Sequence, residues 1–131
     1  MATPAPPPSF LFLTRTVARV LFALPFIAAG LVHLARGDEM AAAVPVSGGL
    51  FWVYLTGVAL VLAGLCIMTR WLGMWAALGL AVLLATFIVT IHLPGLGDPA
   101  MRAMAMSGLI KDTALMGGAL TWAGLLASNE Q

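Results

Sequence analysis

Residues 71–93 read WLGMWAALGLAVLLATFIVTIHL, and the reading of this stretch decides the fold. Apart from His92 it holds no ionisable side chain, and its apolar residues run on continuously instead of alternating. At ~1.5 Å per residue, a helix of this length crosses the ~30 Å of a bilayer's hydrocarbon. A strand does not fit, because lipid offers no partner to backbone groups and each spanning segment must bond its own. Working outward, the same pattern recurs over 50–69, 16–35 and 107–127. The reading is an all-α integral membrane protein, a four-transmembrane-helix bundle. An extended proline-rich tail is expected over 1–15, one helical domain over 16–127 and a short C-terminal tail over 128–131.

Composition agrees with this reading and excludes others. Of 131 residues, 62% are hydrophobic and 8% charged, too little charge to clothe a water-soluble domain. Six Lys or Arg stand against five Asp or Glu, so there is no basic footprint for nucleic acid. Cys66 is the only cysteine and sits in the apolar ALVLAGLCIMT, which leaves no internal disulfide or CxxC pair and suggests a packing role. Arg15 and Arg19 precede an apolar run as in a signal peptide. That run continues to about Ala35 with no A-x-A site, so it reads as a retained first helix. Pro4, Pro6, Pro7 and Pro8 are expected to stay extended, and Pro25 to bend the first span.

Trp52, Trp71, Trp75 and Trp122 fall near span ends, where amphipathic rings sit among headgroups. Gly30, Gly57, Gly64, Gly79, Gly117 and Gly118 read as small surfaces for close helix packing. Helices two and three meet at Arg70 almost without a loop, whereas the 36–49 and 94–106 connections are long. Asp98 before Pro99 suggests an N-cap with proline at the first helical position, so the fourth helix is expected to open as PAMRAMAM. Arg15 and Arg19 beside the first helix favour both termini on the cytoplasmic side.

The ionisable residues crowd toward one end. His33, Arg36, Asp38, Glu39, His92, Asp98, Arg102, Lys111 and Asp112 belong to the long-loop side, and only Arg15, Arg19, Arg70 and Glu130 to the other. Any working site is therefore expected at the long-loop end. Lys111 can snorkel to the headgroups, but the short Asp112 needs a partner or a proton, for which Arg36, Arg102 and Lys111 are the choices. Asp112 then reads either as a structural ion pair or as a functional group. His33 and His92 lie at similar depth near the loop-side ends of helices one and three. Two imidazoles at one height have the chemistry to ligate haem or a metal, or to exchange protons with a quinone. Interfacial histidines also simply hydrogen-bond to loops. Met101 and Met104, with Met106, offer thioethers that suit Cu(I), or a lipid-facing surface. Thr86 and Thr90 are expected to bond to the preceding turn or to a neighbouring helix.

Four strings in order, ARVLFALPFIAAGLVHL, LTGVALVLAGLCI, ALGLAVLLATFIVTIHL and LIKDTALMGGAL, resemble the DoxX family of small four-helix membrane proteins. The likeness runs over about 16–127 and rests mainly on Phe26, Gly30 and His33 with Lys111, Asp112, Gly117 and Gly118. It implies a bacterial cytoplasmic membrane and a link to quinone-coupled oxidoreductases, oxidative-stress complexes or metal stress. It carries over no catalytic residue set. The leading expectation is a redox-associated membrane subunit or anchor, not an enzyme by itself, with His33, His92, Lys111 and Asp112 as the quinone or cofactor contact and a redox protein as partner. The alternatives are a copper-handling protein using His33, His92, Met101 and Met104, or a structural partner that self-associates and recruits a soluble enzyme.

Overall fold

A computed structural model of the chain describes residues 4–42, 44 and 47–128. Glu130, assigned above to the terminal side, lies outside the described residues. The helices are α1 (Pro8–Ala35), α2 (Gly37–Ala41), α3 (Gly49–Thr69), α4 (Gly73–Gly95) and α5 (Arg102–Ala127). Three of them, α1, α3 and α4, are long and apolar enough to cross a membrane. The fourth expected span, α5, is long enough at 26 residues, but Arg102, Lys111 and Asp112 dilute its apolar character.

The ends of the elements depart from the expected bounds for local reasons. Helix α1 begins at Pro8, not after residue 15: the first helical position needs no N–H, and proline's fixed φ suits it. Pro7 before it is extended, with φ −66° and ψ 155°, as a residue preceding proline should be. Helix α1 also runs on through Pro25. Helix α5 starts at Arg102, later than Asp98 and Pro99 suggested. The Asp98 carboxylate instead accepts from Ala100 N–H at 2.9 Å, which closes a turn one step ahead of the helix. The short helix α2 within the first long connection had no signal in the apolar pattern.

Helices pack in pairs, α1 on α3 and α4 on α5, with α3 against α4 joining the pairs. The α1–α3 contact is backbone-close. A Cβ on Gly30 would stand 2.6 Å from the Gly57 carbonyl oxygen, and one on Gly64 2.5 Å from Ile27 Cγ1. Gly79 and Gly117 face open space and take no part in such contacts. Alanines do much of the filling between helices, with Ala23, Ala77, Ala81, Ala119 and Ala123 buried beside Phe26, Leu60, Ile67, Leu80 and Leu84. Meanwhile Leu21, Leu31, Leu55, Leu62, Val82, Val89 and Leu120 point outward. A surface so apolar is stable against lipid and not against water.

The turn between α3 and α4 is tight and strained. Arg70 has φ 68° and Leu72 φ 52°, both in the left-handed region. A side chain there costs about 1 kcal/mol relative to glycine.

Candidate functional site

Helix α4 does not end as a regular α-helix. Over Ile88–His92 it is wound as a π-helix, a form that is uncommon and tends to gather at functional sites. The widened turn sets His92 against α5. Thr86 and Thr90 spend their hydroxyls on the carbonyls of Val82 and Thr86, at 2.9 and 2.7 Å, so they bond to the preceding turn as expected.

On α5, Gly108 and Asp112 lie four residues apart and share a face. The His92 ring lies over Gly108 so closely that a Cβ there would overlap Cε1. With no side chain in the way, His92 Nε2 reaches Asp112 Oδ2 at 2.8 Å, where a ring N–H donates to the carboxylate. Asp112 is 3% exposed, the only buried charged residue among those described. Its other oxygen, Oδ1, is 3.4 Å from Lys111 Nζ, whose side chain is largely exposed. Both carboxylate oxygens thus have a cationic or donor partner. A buried carboxylate left without a partner costs ~3–5 kcal/mol, so this pairing is what makes the position tolerable.

Of the three cations considered as partners for Asp112, Lys111 is the one in reach. Arg36 stands 3.4 Å from Glu39 in an exposed pair, which contributes little. Arg102 Nε donates to the Leu96 carbonyl at 3.1 Å. The short bond to His92 was not foreseen, because nothing in the sequence reports which face of α5 meets α4. Gly108 was missed as well, because its closeness to the His92 ring follows from the packing of α4 on α5.

Met101 and Met104 line a recess of about 70 Å³ together with Ile91, His92, Gly95 and Ala105. The structure therefore brings His92, Lys111, Asp112, Met101 and Met104 to one end of the α4–α5 pair. His33 is not joined to them by any hydrogen bond or ion pair. Its Nδ1 is 2.8 Å from the Ala29 carbonyl oxygen within α1, and its Cβ packs on Gly57 of α3. Among the described residues no group of three or more His, Cys, Asp or Glu side chains is arranged to hold a metal ion.

No family model matches the chain, and no curated protein or solved structure is significantly similar to it. The likeness in the helix strings stays a resemblance. Fold and composition together establish a small all-helical protein with three membrane-length apolar helices.

Proposed function

We propose that this chain is a four-span subunit of a bacterial cytoplasmic membrane, and that its His92–Asp112–Lys111 site contacts a quinone head and handles its protons for a redox partner protein. The observation that carries the reading is the 2.8 Å bond between His92 and a carboxylate shielded from solvent between two helices. Ionisable groups inside spans are costly, and where they occur they mark proton or ligand paths. Quinone carbonyls accept hydrogen bonds and take up protons on reduction. His92 can hold a proton and Asp112 orients and compensates the ring, while Lys111 keeps the far carboxylate oxygen engaged. The recess beside His92 is walled by the apolar side chains of Ile91, Met101, Met104 and Ala105, which suits the apolar rim of a quinone ring. Exposed Met104 walls its outer side. The DoxX-like strings fit such a subunit.

Crossing by α5 belongs to this proposal. Its 26 residues measure ~39 Å, enough to span, and the charge that lowers its hydropathy is partly hidden, since Asp112 faces α4 and not lipid.

The test is binding of a ubiquinone or menaquinone analogue to the reconstituted chain. Saturable binding is expected, weakened about tenfold or more by His92→Ala and by Asp112→Asn, the loss of one charge-assisted hydrogen bond. His33→Ala should leave it unchanged, because His33 is committed to α1 and α3. Absence of saturable binding, or binding indifferent to His92 and Asp112, refutes the proposal. A second reading, Cu(I) handling, is favoured by Met101, Met104 and His92 lining one recess. It fails if Met101→Leu with Met104→Leu leaves Cu(I) affinity unchanged.

A further inference from the structure

The opposite end of the bundle gathers a second set of polar groups. Arg15, Thr16, Arg19, Arg70 and Trp122 line a cavity of about 310 Å³ there. That volume is at the lower end of the ~300–1,000 Å³ typical of small-molecule sites. The three guanidiniums arrive from two distant parts of the chain, one turn of α1 and the α3–α4 turn.

Nothing among the described residues neutralises them. The ion pairs among the described residues involve Arg36, His92 and Lys111, and no described carboxylate lies within 4.0 Å of Arg15, Arg19 or Arg70. Arg19 Nε is buried and has no hydrogen-bond partner. The residue as a whole is half-buried, but a shielded donor atom with no acceptor still carries a cost, and three convergent like charges add to it. The backbone gives two further signs. Arg70 holds the left-handed φ of 68° at a position where glycine would be unstrained, and strain kept at a charged residue points to a use for its side chain. Helix α1 is π-wound over Phe12–Val17, the segment that carries Arg15 and Thr16.

We propose that this cavity binds a phosphate-type oxyanion, presented by the headgroup of an anionic phospholipid or free in solution. Guanidinium is the side chain best matched to such a group, because its planar fork donates two parallel hydrogen bonds to paired oxygens. Thr16 adds a hydroxyl, and Trp122 gives the cavity an aromatic wall of the kind found at headgroup depth. The site is independent of the quinone reading, which concerns the other end of the bundle.

The full chain is tested with two probes. Native mass spectrometry from phosphatidylcholine nanodiscs doped with phosphatidylglycerol reads lipid retention, and titration with inorganic phosphate in neutral detergent reads the free anion. Retained phosphatidylglycerol without phosphate binding identifies a lipid headgroup, and phosphate binding identifies a soluble anion; either supports the proposal. Arg19→Gln and Arg70→Gly should each weaken the bound probe about tenfold or more, as loss of a charge-assisted hydrogen bond does. Arg70→Gly also relieves the left-handed strain, so it should melt no lower than the parent chain, and its loss of binding is then not a loss of fold. Arg36→Gln removes the same charge at the other end and should change binding by less than about twofold if exposed charge alone counts for little. The proposal is overturned if neither probe binds saturably, or if Arg36→Gln weakens binding as much as Arg19→Gln. It is also overturned if Glu130→Gln strengthens binding about tenfold, since an acidic side chain of this chain would then be the occupant.

Discussion

Replacing Gly108 by alanine tests the α4–α5 site without touching an ionisable group. The new Cβ would overlap the His92 ring, which must swing away from Asp112. Removing one partner of a buried pair costs ~3–5 kcal/mol; here the ring is displaced and not deleted, so the low end applies. Alanine returns ~1 kcal/mol of helix propensity over glycine. The net loss is about 2 kcal/mol, or roughly 30-fold in the unfolding constant. Equilibrium unfolding in mixed micelles, followed by tryptophan fluorescence, measures it. The same substitution in a His92→Ala background should be neutral or stabilising, because the ring it collides with is gone. Should Gly108→Ala be as stable as the parent chain while His92 is present, the pair does not hold α4 to α5 and the reasoning fails.

Two further outcomes bear on the fold. Gly30→Ala should destabilise the α1–α3 pair by about 1–3 kcal/mol, because its Cβ would meet backbone at Gly57 and backbone cannot rotate aside; the same unfolding assay reads it, and a stability equal to the parent's would contradict the close approach. If α5 crosses the membrane, cysteines placed at Ser9 and Ser128 in a Cys66→Ala background should both react with an impermeant thiol reagent from one side of sealed vesicles. Reaction from opposite sides would leave three crossings.

Long apolar runs were sufficient to place α3 and α4 within two residues at each end, and the C-terminal end of α1, because a continuous apolar segment of bilayer length has a single stable conformation in lipid. Start positions were harder to read. The proline run suggested an extended tail to residue 15, yet the helix is already under way at Pro8, since proline resists the inside of a helix and not its first position. Asp98 does accept the N–H two residues on, as a cap should, but the turn it opens stops short of α5, which begins at Arg102.

The sequence by itself determined that the protein is helical, that lipid must surround it, and that its acids and histidines crowd toward the end with the long connections. These follow from composition and from distance along the chain. Which side chains meet depends on helix rotation, and apolar helices with alanines and glycines on several faces have many rotations of similar energy. Only the packed structure decided that His92 takes Asp112 while His33 turns to its own helix. Packing likewise drew Arg15, Arg19 and Arg70, separated by a whole helical hairpin, around one cavity.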